Sequence, residues 1–328
     1  SIYEKRLFVK RAMYNELKQF GQVKTNEPMA KHTTFKIGGP ADFLVIVKET
    51  EKLVSLLKFL DGEGVSYFIL GGGSNMLVRD EGYRGVVIKV HSSEFLVHRE
   101  ESILEIEAGC STVQMAQESI KAGLTCFEWG IGGPGTIGGA VRGNAGAMNG
   151  EMKDVVLKVE VYRDGEVVML TNKECEFGYR ESVFKHRPAV ILKVWLKLSQ
   201  APDATGMKKA MEYLQYRMKT QPQGHASTGC IFKNYEIKEQ GARSKEQIKI
   251  SLPDEFVKKG KISAGWLVDK AGMKGKSVGK ALVSDRHGNF VVNTGGATAT
   301  EVLTLIEEIK KQVYDTMGVE IEEEIQIV

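Results

Sequence analysis

Gly71-Gly72-Gly73-Ser74-Asn75 is the stretch whose reading decides the fold of this chain. It follows the β-rich run Ser66-Tyr67-Phe68-Ile69-Leu70 and precedes Met76-Leu77-Val78, so it is a turn between two apolar segments. Three glycines leave no side chains in the way, and their amide N–H groups can close on an anion, with Ser74 and Asn75 as further donors. A phosphate or diphosphate is the natural guest, although tight hairpins use the same residues. A second region shifts the balance. Gly130 to Gly150 carries nine more glycines, and two such cradles in one chain suit a dinucleotide better than a flexible loop.

Around these cradles the chain reads as mixed α and β. Thr50 is expected to cap a helix with the apolar stripe Leu53, Val54, Leu56, Leu57 and Leu60, ended by Gly62 and Gly64. Strands are expected at Ser66–Leu70, Val86–Val90 and Ile103–Ile106, then a helix opening at Ser111 with Gln114 completing a capping box and Gly123 as its stop. Further strands are expected at Val155–Tyr162, Val167–Leu170 and Ala189–Leu198. Pro202 begins a change of register, followed by a helix near Met207–Lys219 and a loop at Gln221–His225. A third unit runs from Gly229 to Gly295, with a short helix near Ala264–Ala271 and a strand at Phe290–Asn293. Thr298 to Met317 is an amphipathic helix bearing Val302, Leu305, Ile306, Ile309 and Val313 on one face, with Gly318 as terminator. In the tail, Val319, Ile321, Ile325 and Ile327 share one parity, which predicts a half-buried strand with Glu320, Glu322, Glu324 and Gln326 on its other face. Glu323 falls on the apolar face, an oddity in that pattern.

Composition bounds the function. A chain of 328 residues suggests two or three domains. Its formal charge of +3 calls for neither nucleic acid nor a membrane surface, since basic pairs such as Lys208-Lys209 sit amid acids. No run approaches membrane-spanning length, and Ser1-Ile2-Tyr3-Glu4-Lys5-Arg6 is charged with no apolar signal core behind it. Cys110, Cys126, Cys175 and Cys230 lie far apart without CxxC spacing, which suits a cytoplasmic, reducing location and predicts neither a disulfide framework nor a metal site.

Gly130-Ile131-Gly132-Gly133-Pro134-Gly135 literally matches GxGxxG. The dinucleotide fingerprint needs a strand directly before it and a helix starting at its third glycine. Here a proline ring precedes that glycine, and Thr136-Ile137-Gly138-Gly139-Ala140 and Asn144-Ala145-Gly146-Ala147 keep the chain glycine-rich. The expectation is a long backbone cradle along an extended ligand, partnered with the Gly71–Asn75 turn, and not a Rossmann motif.

Taken together, several segments resemble the flavoprotein family of UDP-N-acetylenolpyruvoylglucosamine reductases. They are His32-Thr33-Thr34-Phe35-Lys36-Ile37-Gly38-Gly39-Pro40-Ala41-Asp42; the Gly71–Asn75 turn; Pro134 to Val141 with Asn144–Ala147; and Tyr179-Arg180-Glu181-Ser182-Val183-Phe184-Lys185. Gly229-Cys230-Ile231-Phe232-Lys233-Asn234, Ala264-Gly265-Trp266-Leu267-Val268-Asp269 and the tail around Glu324 extend the likeness to nearly the whole length. The resemblance implies an α+β fold: a two-part FAD-binding module of the vanillyl-alcohol-oxidase/PCMH type plus a smaller α+β substrate-binding domain. Residues 1–88 and 89–216 would form the two FAD subdomains and 217–317 the substrate domain, with the 318–328 strand returning near the first subdomain and the active site.

What the resemblance implies about chemistry is an NADPH-dependent oxidoreductase with non-covalent FAD, reducing an enolpyruvyl UDP-sugar for peptidoglycan synthesis. Its partners would be small molecules, NADPH and UDP-N-acetylglucosamine enolpyruvate. Gly71, Gly72, Gly73, Ser74, Asn75, Pro134, Gly135, Thr136, Gly139, Asn144, Ala145 and Gly146 would bind the cofactor. The absence of histidine from the glycine turn favours non-covalent flavin over the histidyl-flavin oxidases of this fold. Arg180 would hold the substrate carboxylate, since a guanidinium fork suits it, with an ion pair to Glu181 as the structural alternative. Glu324 would assist as an acid, and Asn234, Lys233, Tyr179 and Gln221 would contact substrate, with a turn-forming role as the alternative for Asn234. Cys230 stands where the family carries a serine as proton donor to C2. A thiol can serve, with a reference pKa of about 8.5, and a neighbouring Glu324 would keep it protonated; simple packing is the alternative. Only 49 residues separate Arg180 from Cys230, as in the shorter subtype lacking an extra substrate-capping loop and its tyrosine; Tyr213 and Tyr216 lie nearby, and neither is assigned that role. Gly133 stands where the family has an apolar residue. Another flavin oxidoreductase of this fold, or a nucleotide-binding scaffold without turnover, are the alternatives that the residues leave open.

Overall fold

The computed structural model describes residues 11–201, 205–237 and 248–328; Pro202 and the N-terminal residues 1–6 lie outside them. The described residues fall into two compact units, one from those within 1–27, 41–72 and 83–217, the other from those within 28–40, 73–82 and 218–328.

The first unit is built on two sheets. In the smaller, Pro40–Val47 and Tyr67–Leu70 both pair in parallel with the central strand Tyr83–Val90, and Gln22–Pro28 lies on the outer edge. Parallel neighbours need a crossover connection, here the helix Thr50–Gly62, whose Leu53, Leu56, Leu57 and Leu60 are buried against Phe43, Val45 and Ile88. Thr50 is not its cap: Glu49 occupies that position, and the Thr50 hydroxyl donates to Glu107 Oε1 at 2.7 Å. The larger sheet is antiparallel throughout, in the order Glu166–Thr171, Val156–Arg163, Val190–Lys197, Ile103–Glu107, Phe95–His98. Its inward residues Leu104, Ile106, Val159, Val161, Val194 and Leu196 form a second core with the helix Thr112–Lys121. Ser111 caps that helix by accepting from the Gln114 amide; the reciprocal half of the expected capping box is not formed.

The glycine region is less extended than its composition predicts. Glu128–Gly132 forms a 3-10 turn and Ile137–Arg142 a short helix capped by Thr136, so only part of the segment lies open as backbone. No strand runs directly into Gly130, and the helix begins after the third glycine, which excludes the Rossmann geometry.

The second unit centres on an antiparallel sheet in the order Ala226–Cys230, Phe290–Asn293, Ala281–Val283, Ser277–Val278. The helix Ala299–Met317 buries Val302, Leu305, Ile306, Ile309 and Val313 in the same core as Leu267 and Val268 of the helix Ala264–Lys270. Its N-terminus is held twice. Thr298 and Glu301 form a capping box, and the Asp80 carboxylate accepts from the Ala299 and Thr300 amides at 2.8 and 2.9 Å, which ties the Gly73–Gly82 segment to this unit. The tail is a shorter strand than its parity predicts. Only Gln326–Ile327 pairs, in parallel with Met76–Leu77, with one isolated bridge between Phe232 and Glu323, because the tail passes from one partner to another. The burial alternation survives: Val319, Ile321 and Ile325 are buried, while Glu320 and Glu322 are exposed. Glu323 owes its place to Lys310, whose ammonium lies 3.0 Å from its carboxylate.

None of the four cysteines forms a disulfide, and among the described residues no group of three or more metal-ligating side chains converges and no helix is long and apolar enough to cross a membrane. Burial pushes the Cys110 and Cys175 thiols up to about 12. Cys126 is exposed and sits at φ 88°, a left-handed conformation that costs a Cβ-bearing residue about 1 kcal/mol. Cys126→Gly is therefore expected to raise unfolding stability by about that amount, measured by urea denaturation.

Candidate functional site

Two glycine segments meet backbone to backbone in the first unit. A Cβ on Gly72 would lie 2.6 Å from Gly135 Cα, and one on Gly71 would strike the Thr136 hydroxyl. The second segment is fixed from behind: Ile137 and Gly138 donate to the carbonyls of Cys110 and Ala108 at 2.9 and 2.8 Å, and Thr112 donates to Gly135. Among the described residues, the N–H groups of Gly71 and Gly72 donate to no protein acceptor. Unspent amides on a side-chain-free surface, beside a capped helix start, fit a diphosphate. Gly139 spends its amide on Thr136 Oγ1. Gly73 belongs to the second unit, where it turns at φ 64° against the His32 carbonyl and Thr33.

The Asn144 side chain is tied into the protein. Fully buried at φ 41°, it donates to Glu151 Oε2 at 2.8 Å and to the Gly178 carbonyl at 2.7 Å, and accepts from the Lys153 amide. Both side-chain protons are spent on protein, so Asn144 acts by placing Ala145 and Gly146. Its bond to Gly178 joins this segment to a tight turn, Gly178 to Glu181, closed by reciprocal backbone bonds of 3.0 and 3.2 Å. Arg180 sits in that turn at φ 55°. Its Nη2 donates to the Gly146 carbonyl at 2.8 Å, its guanidinium lies 5.3 Å from the Tyr179 ring centre, and its carbonyl accepts from Lys185 Nζ. A non-glycine residue held in the left-handed region is strained, and such strain gathers where function demands a fixed side chain. Glu181 is bonded by the Ser182 amide and His186.

In the second unit, Cys230 ends a strand with an irregular register. Ser227 pairs with Val292 and Cys230 with Phe290, which leaves one extra residue on the Cys230 side, and Gly229 takes φ 80°. A bulge of this kind re-aims the side chain that follows it. Beyond it, Ile231 and Phe232 are fixed by Asn289, whose side chain accepts from the Phe232 amide and donates to the Phe232 carbonyl, both at 2.8 Å. The tail lies against the same stretch: Glu324 donates its amide to the Ile231 carbonyl at 2.7 Å, and the Asn75 side chain donates to the Glu324 carbonyl at 3.3 Å. The backbone thus places Glu324 against the residue that follows Cys230. Asn75 serves to hold that tail.

The other expected substrate contacts are positioned in the second unit, except Tyr179. Lys233 Nζ lies 3.8 Å from Glu322, and Asn234 Oδ1 accepts from the Ala264 amide at 3.0 Å, fixing the start of the Ala264–Lys270 helix. Gln221 is half-buried in the loop after the helix Gly206–Thr220. His287 accepts from the Asn289 amide through Nδ1 and meets Phe290 edge-on, so it orders the turn that presents Asn289. Asn289 and Asp80 were not singled out from sequence. The signal that marks them is polarity out of place: an asparagine entering an apolar strand, and an aspartate far in sequence from the helix that it caps.

A flavin-binding α+β domain joined to a smaller α+β domain is the class these features define. Residues 41–171 match the profile of an FAD binding domain, and residues 221–328 that of the UDP-N-acetylenolpyruvoylglucosamine reductase C-terminal domain. The chain belongs to the UDP-N-acetylenolpyruvoylglucosamine reductase family. It is 39% identical over 314 residues to that reductase from Caldanaerobacter subterraneus subsp. tengcongensis, covering 95% of this chain and 96% of the relative. It is 37% identical to the Bacillus subtilis reductase, covering 95% of each. The crystal structure of the reductase from Thermus caldophilus superposes with a TM-score of 0.73 at 33% identity, covering 93% of this chain and 98% of that one.

The glycine junction makes a discriminating prediction. Gly72→Ala must push backbone against backbone, whereas a Cβ on Gly133 meets nothing closer than 3.4 Å at an ordinary φ. Gly72→Ala is expected to lower stability by at least 1 kcal/mol, and Gly133→Ala to leave it unchanged or raise it by about 0.5 kcal/mol, both read from urea midpoints.

A second prediction concerns pH. Burial foremost, then the Lys274 charge, holds the His287 imidazole below its ordinary 6.5. A group lowered in this way contributes its full stability above the unfolded value and loses it as pH falls toward the folded one. The melting temperature should fall between about pH 7 and 5, with a shallower slope in His287→Gln.

Proposed function

We propose that this chain reduces UDP-N-acetylglucosamine enolpyruvate to UDP-N-acetylmuramate with NADPH and non-covalent FAD, in the cytoplasm, as a step of peptidoglycan precursor synthesis. The observation that carries this reading is an end-to-end likeness to the reductases, 39% identical over 95% of the chain. In this reading residues 1–88 and 89–216 are the two halves of the FAD module, although Pro28–Pro40 and Gly73–Gly82 pack with the second unit. Residues 217–317 form the substrate domain, and 318–328 the returning tail.

The Gly71–Gly72 amides and the Gly135–Thr136 turn suit the FAD diphosphate, because those two amides donate to no protein acceptor and the segments meet without side chains between them. When bound, the flavin supplies hydride transfer from NADPH to the enol-ether carbon C3 of the sugar. The protein's part is charge and proton. As C3 is reduced, negative charge spreads from C2 onto the substrate carboxylate, where a fixed cation lowers the barrier. Arg180 suits that role, because its backbone is locked by the Gly178–Glu181 turn and a planar guanidinium matches a carboxylate. Cys230 holds the proton that C2 takes, leaving a thiolate to be reprotonated from water. Glu324, carried past Ile231 by the tail, assists as an acid. Lys233, Asn234, Tyr179 and Gln221 bind the sugar nucleotide.

Two sets of variants test these roles. Cys230→Ala is expected to reduce turnover about 100-fold or more while leaving NADPH reduction of the flavin intact in stopped flow; Arg180→Gln should cost a similar factor. Equal loss in both half-reactions would instead mean damage to the flavin site. In a Cys126→Gly background, peroxide should inactivate the enzyme through Cys230 and spare Cys230→Ser, because the buried Cys110 and Cys175 thiols stay protonated. Equal sensitivity of the two would place the reactive group elsewhere.

A further inference from the structure

Arg180 stands where the backbone would ordinarily ask for another residue. The turn Gly178–Glu181 is closed by reciprocal backbone bonds, so Tyr179 and Arg180 are its central residues. A positive φ at the second central position of a tight turn normally selects glycine or asparagine. Arginine at φ 55° carries a Cβ into that conformation at a cost, so a bond from outside the turn is needed to hold it there.

The residues that follow supply the hold. Ser182 is buried, and its hydroxyl donates to the Arg142 carbonyl at 2.6 Å, at the end of the helix Ile137–Arg142. Val183 and Phe184 are buried in the core of the larger sheet and open the 3-10 turn Val183–Lys185, whose last amide donates to the Ser182 carbonyl at 3.2 Å. From that anchored turn the Lys185 ammonium reaches back and donates to the Arg180 carbonyl at 2.5 Å. The bond is charge-assisted and partly buried, where water competes poorly for either partner. At the other end of the turn, Asn144 donates to the Gly178 carbonyl at 2.7 Å. A neutral amide thus holds the entry to the turn, and a cation holds the strained residue itself.

We propose that Lys185 is a positioning residue for the reduction of the sugar: its ammonium keeps the Arg180 backbone in the left-handed conformation that presents the guanidinium to the substrate carboxylate. The role rests on the reading of Arg180 as the cation at that carboxylate. Lys185 acts through Arg180 alone, and two consequences follow from this. Its loss slows the step in which charge builds on the carboxylate, while reduction of the flavin by NADPH, which builds no such charge, is spared. Once the Arg180 guanidinium is gone, Lys185 has nothing left to place, so the two losses do not multiply.

The test is anaerobic stopped flow on the purified full chain with bound FAD, following flavin reduction by NADPH and then reoxidation by UDP-N-acetylglucosamine enolpyruvate. The proteins compared are the wild type, Lys185→Met, Lys185→Arg, Arg180→Gln and the double variant of Lys185→Met with Arg180→Gln. Lys185→Met is expected to reoxidise about tenfold more slowly or worse, with its reduction rate within about twofold of the wild type. Lys185→Arg, which keeps a cationic donor, should recover part of the loss, and the double variant should be no slower than Arg180→Gln alone. Wild-type reoxidation in Lys185→Met beside a slow Arg180→Gln would overturn the positioning role. So would losses that multiply in the double variant, no recovery in Lys185→Arg, or a reduction step slowed as much as reoxidation, which would mean general damage to the fold. Should Lys185→Met fail to fold, Lys185→Gln, neutral but polar, takes its place in the same comparison. An unimpaired Arg180→Gln would instead overturn the reading of Arg180, and the role of Lys185 with it.

Discussion

The contact between Gly72 and Gly135 is the constraint on which the first unit depends. Backbone meets backbone there because neither residue has a Cβ, and 2.6 Å would separate a methyl at Gly72 from Gly135 Cα. That approach ties the end of a parallel strand to the start of the helix Ile137–Arg142, and so ties the smaller sheet's connection to the segment anchored on Ala108 and Cys110. It also leaves the Gly71 and Gly72 amides bare. The same absence of side chains serves packing and suits the anion binding proposed there, which is why composition alone does not separate the two uses.

Within each unit, polar side chains hold the backbone that carries the proposed site residues. Asn144, Asn289 and Asn75 bond backbone, and each holds a neighbour: Gly146 and the Arg180 turn, the residues after Cys230, and the tail at Glu324. The residues proposed for chemistry are placed by local irregularity instead. Arg180 occupies a left-handed turn position and Cys230 follows a glycine bulge. Regular strand or helix geometry would fix their directions by periodicity; a bend frees the direction, at the expense of some strain.

Much of this was legible in the sequence, and what was not has physical reasons. The helix Ala299–Met317 announces itself because its apolar stripe, capping box and terminal Gly318 all agree. The two glycine segments announced a cradle, but not that Thr136 would nucleate a helix inside the second, since glycine content argues against one. Tail parity predicted burial correctly and strand length wrongly, because pairing depends on partners distant in sequence: Met76–Leu77 and Phe232. Glu323 looked misplaced until Lys310 supplied its charge partner. The proposed chemical residues Arg180, Cys230 and Glu324 come from resemblance to the reductases, because no periodicity marks a catalytic side chain. Asn289, Asp80 and Glu107 act only through three-dimensional neighbours and carry no local pattern of their own.

The central claim is that this chain passes reducing equivalents from NADPH through bound FAD to an enolpyruvyl UDP-sugar. The most direct measurement is anaerobic: reduce the purified flavoprotein with NADPH, add UDP-N-acetylglucosamine enolpyruvate, and follow flavin absorbance with product analysis. Bleaching by NADPH, then rapid return of the oxidised spectrum with stoichiometric UDP-N-acetylmuramate, is the predicted result. A flavin that bleaches but stays reduced in the presence of that sugar would contradict the assignment.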